Sequence, residues 1–269
     1  RYATWDWSGL SDPTPIGLQN FGRLFRDAEF WRGVRTTLIF AVILLPSFLW
    51  LSRTVALAIE GVRLERFIKA LLFLPGLMTI AGSVVAWFLL YNPNYGLIVE
   101  LTRPLFSYLP CELGPLPPPC DGLLLPWDSA PWAALLYVVL FVLWQYVGYG
   151  VLVVSAALKG IPKGVKEAGR VDGANDRQIQ HFIISPLLRP TMAFLSVIGS
   201  VAAIQAYAAV FLLTRGGPFG STKVVGYFLY ETAFERLQLG YGAALTVLLL
   251  LVTLLAAGVQ VFVQMRRGE

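Results

Sequence analysis

Residues 167–190 read EAGRVDGANDRQIQHFIISPLLRP. Around its start, Ile161, Val165, Ala168 and Gly169 recur at helical spacing while Lys163, Lys166, Glu167 and Arg170 fill the other positions, the pattern of a short amphipathic helix. Pro162 suits a first helical turn, Gly173 accepts the left-handed backbone that ends a helix, and Asn175 can cap a second helical piece. Helix, glycine turn and helix make a compact protruding knob. Pro186 and Pro190 then enter or kink an apolar helix, whose neighbours must satisfy the backbone groups that proline frees. Taken alone, such a segment either lies on lipid as an interfacial helix or docks onto another protein.

The surrounding composition places the knob beside a membrane. Of 269 residues, 57% are hydrophobic and 14% charged, and the mean hydropathy is +0.66. A soluble domain of this length needs a broad polar surface, whereas these charges sit in short stretches between long apolar runs. The chain reads as an all-α, polytopic membrane protein, and its net charge of +5 is a matter of topology rather than of nucleic acid. Five runs meet the roughly 20-residue requirement for a spanning helix: residues 36–58, 67–90, 132–158, 182–213 and 241–264.

Five spans put the two ends of the chain on opposite sides. Arg63, Arg66 and Lys69 follow the first run, five basic residues lie between Lys159 and Arg177, and Arg266 and Arg267 follow the last. The positive-inside rule assigns these regions, including the 159–181 loop, to the cytoplasm. The 91–131 loop has Arg103 as its only basic residue and is expected outside. Residues 1–35 must then also be outside despite five arginines, and an upstream span that fixes orientation would remove that conflict. The opening on RYATWDW, with no initiator methionine and no signal-peptide pattern, leads us to expect such a segment.

Cys111 and Cys120 are the only cysteines and bracket ELGPLPPP in the loop expected outside. A disulfide between them fits an oxidising compartment, with two unpaired thiols as the alternative. Two cysteines without neighbouring histidines do not complete a metal shell.

The 167–190 stretch resembles the cytoplasmic signature loop of binding-protein-dependent ABC importer permeases, written EAA, three residues, G, nine residues, I, any residue, LP. Glu167, Ala168, Gly173, Ile183 and Pro186 stand at the matching spacing, and Asp172 and Ala174 complete the usual DGA. Gly169 replaces the second alanine and Ser185 replaces the leucine. WDWSGL, IGLQNFGRLFRDAEFWRGVRTTLIF, LFLPGLMTIAGSVVAWFLLYNPNYGLIVE, LTRGGPFGSTKVVGYFLYETAF and LGYGAALTVLLLL extend the resemblance over nearly the whole chain, towards the first permease subunit of the maltose and glycerol-phosphate type.

The resemblance implies the type I permease fold as a single transmembrane domain over residues 1–269, with a sixth span ahead of Arg1. It implies a second permease subunit, two ATPase subunits that bind ATP and magnesium, an external solute-binding protein and a prokaryotic inner membrane. The knob, carried by Val165, Glu167, Ala168, Gly169, Asp172, Gly173 and Ala174, would sit in a cleft of an ATPase subunit, with Glu167 as a polar contact. Independently, the chain has no GxxxxGK[ST] phosphate loop and reads as the passive half of a pump, without a cofactor of its own.

The transport path is carried less clearly. Gln145, Tyr149, Ser196, Ser200, Gln205 and Tyr207 offer amides, hydroxyls and aromatic faces suited to a neutral sugar, although such residues also mediate helix packing. Gly148, Gly150 and Gly199 read as points of close helix approach. No acidic residue lies in the middle of a run, which argues against a proton-driven carrier. His181 reads as an interfacial side chain. The 92–96 turn and the 214–222 loop are expected to meet the binding protein. The function expected is import of a di- or oligosaccharide, with a glycerol phosphate or polyol as the alternative cargo and a non-transporting receptor or scaffold as the alternative class.

Overall fold

The computed structural model describes residues 2–10, 12–91, 96–98, 100–101, 127 and 130–268. Cys111, Cys120 and most of the 92–96 turn lie outside the described residues. Helices dominate, as expected of a chain that must satisfy its own backbone in lipid. Among the described residues the exception is a small antiparallel ribbon of β1 (Trp5–Asp6) and β2 (Thr14–Pro15), with Trp5 opposite Pro15. The helices are α1 (Gln19–Arg26), α2 (Ala28–Ala58), α3 (Glu65–Leu77), α4 (Ile80–Leu90), α5 (Pro131–Gly160) and α6 (Lys163–Val171). They continue with α7 (Asp176–Leu187), α8 (Arg189–Ile204), α9 (Tyr207–Leu213), α10 (Val225–Tyr230) and α11 (Leu239–Gly268).

Among the described residues, three helices, α2, α5 and α11, are each long and apolar enough to cross a membrane, and the number rises to five when the pairs α3/α4 and α7/α8 are each taken as one span. The five runs therefore stand, but two are not the continuous helices expected. Over 67–90, Pro75 and Gly76 weaken the end of α3, and Thr79 adopts extended backbone (φ −61°, ψ 148°) while its side chain accepts from the Gly82 N–H, an N-cap that starts α4 afresh. Over 182–213, the run begins inside a π-helical turn, Ile179–Ile184, and bends by 64° between α7 and α8. Pro190, just after the bend, has no N–H to continue the ladder.

The residues form two compact units of three segments each. The first comprises Arg1–Phe40, Met78–Val142 and Ile204–Val247. Its interior holds an aromatic cluster in which Tyr137, fully buried, meets Trp87, Tyr91 and Trp127 at centroid separations of 6.1, 5.4 and 5.2 Å. The Val225 N–H donates to Thr37 Oγ1 (2.9 Å) and so starts α10 against α2.

The second unit comprises Ala41–Leu77, Leu143–Ala203 and Leu248–Glu269, and is organised around glycines on α5. A Cβ on Gly148 would lie 2.0 Å from the Leu72 carbonyl oxygen of α3, and one on Gly150 2.1 Å from Ser52 Oγ of α2. Gly199 of α8 is similarly close to Leu45 and Phe48 of α2. In lipid, where the solvent is as apolar as leucine, such close backbone approach supplies the dispersion contacts that hold helices together.

Candidate functional site

The knob is built by a helix stop whose chemistry is spelled out in DGAND. α6 follows Pro162 and ends at Val171, with Gly173 at φ +84°. The Gly173 N–H donates to the Arg170 carbonyl (3.1 Å) and the Ala174 N–H to the Gly169 carbonyl (3.0 Å), the paired bonds of a Schellman stop. Asn175 then opens α7 with a reciprocal capping box. Its side chain accepts from the Gln178 N–H (2.9 Å), and Gln178 Oε1 accepts from the Asn175 N–H (2.8 Å). Each end of the turn is satisfied locally, so a short segment holds its shape without a core of its own.

The two sides of α6 are distinct. Gly169 is buried, and a Cβ there would come 2.7 Å from Ile183 Cδ1 and 3.4 Å from Ile179 Cγ1. This glycine therefore closes the knob onto the π turn. Val165, Ala168 and Val171 recur at three-residue spacing on the exposed side, joined by Glu167, Asp172 and Gly173, with Ala174 half-buried. Val171 is 87% exposed, a costly place for an apolar side chain that no neighbour covers. Val171 and the exposed Phe182 escaped the sequence reading. The signal for Val171 in the sequence is the three-residue apolar spacing Val165, Ala168, Val171, which the neighbouring small residues Ala168 and Gly169 mask. His181 is exposed and packs edge-on against Phe182.

Ion pairs hold the base of the knob. Lys166 Nζ meets Glu60 Oε1 at 2.7 Å, and Glu65 accepts from both Lys69 and Lys159. Arg53 Nη2 donates to Ser185 Oγ (2.5 Å), and Ser185 Oγ donates to the Gln180 carbonyl (2.7 Å).

The six path candidates are divided between the two units. Gln145, Tyr149, Ser196 and Ser200 belong to the second unit, and Gln205 and Tyr207 to the first. Ser196 donates to the Ala193 carbonyl (2.7 Å), and Ser200 donates to the Ser196 carbonyl (2.9 Å) while accepting from Gln260 Nε2 (2.8 Å). These hydroxyls bond within and between helices, which is the packing role. Gln145 and Tyr149 are half-buried beside the tightly packed Gly148 and Gly150, and Gln205 is exposed. Tyr207, 43% exposed, stacks on Tyr230 at 6.2 Å. An open depression of about 580 Å³ lined by Gln19, Gly22, Arg23, Arg26 and Asp27 includes none of the six.

The 214–222 loop is compact. Thr214 and Thr222 share a hydroxyl contact of 2.7 Å, and the buried Thr222 donates to the Gly217 carbonyl (2.9 Å). Gly216 and Gly220 take positive φ, as do Arg215 and Phe219, and Phe219 is held 95% exposed at the tip. Nearby, Glu231 pairs with Lys223 and Arg236. Burial works against its charge, but the two cations outweigh that cost and hold its pKa below the ordinary 4.5.

Residues 22–268 match the family model of the binding-protein-dependent transport system inner membrane component. The chain belongs to this family. It is accordingly a multi-pass inner-membrane permease of an ABC importer that works with a binding protein. Similar proteins include the sn-glycerol-3-phosphate transport system permease UgpA of Yersinia pseudotuberculosis, 31% identical over 93% of this chain and 80% of the relative. A second is the probable starch degradation products transport system permease AmyD of Thermoanaerobacterium thermosulfurigenes, 27% identical over 99% of this chain and 86% of that one. The same fold occurs in a bacterial alginate ABC transporter solved in complex with an alginate pentasaccharide-bound periplasmic protein, with a TM-score of 0.78 and 20% identity over 94% of this chain and 84% of that chain.

Proposed function

We propose that this chain is the first permease subunit of a heteromeric importer for a neutral di- or oligosaccharide, itself non-catalytic and driven by ATP hydrolysed, with magnesium, on two partner ATPase subunits. A second permease subunit completes the membrane pair. The observation that carries the coupling part is the outward stripe of Val165, Ala168 and Val171 on a rigidly stopped helix. A short apolar stripe flanked by Glu167 and Asp172 suits a cleft in another protein, because docking removes the exposed apolar surface and leaves the carboxylates at the polar rim. Saccharide cargo rests on a relative named for starch degradation products, while relatives named for a glycerol phosphate carry the alternative. The scarcity of basic residues within the apolar runs favours the uncharged alternative, since a phosphate calls for cationic partners. On the opposite side, the 214–222 loop with Phe219 at its tip is the surface offered to the binding protein.

The test begins with binding of maltose, maltotriose, glycerol 3-phosphate and sorbitol to the cognate binding protein. Uptake of any hit is then followed in proteoliposomes that contain both permeases, the ATPase and the binding protein. ATP-dependent saccharide uptake that is abolished by Glu167→Arg or Gly173→Arg in an assembled, membrane-inserted complex is the expected result. Tight solute binding with no ATP-dependent uptake in the unmodified assembly would replace transport with a receptor function.

A further inference from the structure

The charged ties at the base of the knob reach a helix to which the knob is not joined in sequence. α6 and α7 run covalently into α8, yet two side chains from the end of α2 grip them. Arg53 and Glu60 are seven residues apart, two helical turns, and so fall on one side of α2 and its continuing turn. Arg53 holds Ser185 at the end of the π turn (2.5 Å), and Glu60 holds Lys166 on α6 (2.7 Å). The first grip extends inward, because the Gln180 carbonyl accepts from both the Ser185 hydroxyl and the Ser185 backbone N–H. A π turn permits this by displacing the backbone ladder by one residue.

Ser185 is also the position where the signature loop ordinarily carries leucine. Leucine offers no acceptor, so this departure creates the partner for the half-buried Arg53. Bonds from a guanidinium are charge-assisted and directional, which suits them to holding an orientation. Below Arg53, α2 is seated against α5 and α8 through Phe48 and Ser52 at Gly150 and Gly199. α2 is thus seated over its last turns before Arg53 and gripped at its end.

We propose that Arg53 and Glu60 form a two-point latch that makes the end of α2 move as one body with the knob, so that α2 is a second route for ATPase-driven motion beside the covalent route through α8. Arg53 is a positioning residue: it acts through Ser185 and touches neither nucleotide nor solute. The inference rests on reading the knob as the ATPase-docking element.

The experiment uses the full assembly in nanodiscs, with Cys111 and Cys120 replaced by serine and spin labels at Thr54→Cys and Arg177→Cys, both exposed positions. Pulsed electron resonance measures the distance between them without nucleotide and with ATP and vanadate. The expected result is one narrow distance, the same in both states. Arg53→Met with Glu60→Gln should widen the nucleotide-free distribution about twofold and let it shift by about 2 Å on trapping, the scale of helix displacement in switching proteins.

Ser185→Leu restores a residue the fold accommodates elsewhere in the family and should widen the distribution as well, while Arg53→Lys should keep it near the original. An unchanged width in both the double variant and Ser185→Leu, or a shift on trapping in the unaltered latch, overturns the proposal. Docking is read separately by cross-linking Val171→Cys to the ATPase. Failure of that cross-link with the latch widths as expected sinks the docking reading alone.

Discussion

Gly148→Ala is the sharpest test of how the second unit is held together. Its Cβ would sit 2.0 Å from the Leu72 carbonyl oxygen, 2.4 Å from the Leu72 carbonyl carbon and 2.7 Å from Phe73 Cα. All three are backbone atoms, so no rotamer change relieves the clash. Reaching an ordinary separation of about 3.3 Å requires α3 and α5 to part by about 1.3 Å, which strains or empties the contacts along their seam. Overpacking of this kind costs about 3 kcal/mol, and alanine returns about 1 kcal/mol in helix propensity, leaving a net loss of about 2 kcal/mol. By the usual scaling, that lowers the unfolding midpoint by about 4 to 8 °C.

Two glycines provide internal standards for the same assay, tryptophan-fluorescence melting of the detergent-solubilised assembly. Gly164 has no atom within 4 Å of its Cβ position, so Gly164→Ala should raise the midpoint slightly. Gly169 meets only the movable ends of isoleucine side chains, so Gly169→Ala should fall between the two. A midpoint for Gly148→Ala at or above that of the unaltered protein would refute the backbone-contact reasoning.

Phe219→Ala should weaken association with the binding protein by about tenfold, about 1.4 kcal/mol, without moving the melting midpoint, because the side chain is exposed and supports nothing around it; surface plasmon resonance reads the first and melting the second. Thr222→Val removes the hydroxyl that bonds Gly217 and Thr214, leaving the Gly217 carbonyl without that donor at a cost of about 1 to 2 kcal/mol while Thr214 keeps its bond to the Val210 carbonyl, and should speed amide exchange across 214–222. Glu231, with its pKa held below 4.5, contributes stability that is complete above that value and is lost as pH falls through its lower folded value. Glu231→Gln should therefore flatten the acid limb of the melting profile below about pH 4.5 while lowering the midpoint at neutral pH.

Much of the knob was legible in sequence because its stop and restart use local chemistry. Gly173 with positive φ and Asn175 with Gln178 three residues on need no distant partner. The glycine contacts were legible in kind, since small residues in apolar helices imply close approach, but not in partner: Gly148 meeting Leu72 is a fact of packing. The path residues were the least legible. A serine in a span reads alike whether it faces a solute or bonds its own helix, and Ser196 and Ser200 do the latter.

The sequence by itself determined that this chain lives in a membrane, how many apolar runs it carries and which family it joins, because hydropathy over about 20 residues and the spacing of a capped loop are local quantities. Tertiary structure alone decided that two runs break, that Gly169 turns inward beneath Ile183, and that Arg53 finds Ser185 across 132 positions of chain. A break, a buried face and a long-range hydrogen bond each depend on where another helix stands, and no window of residues records that position.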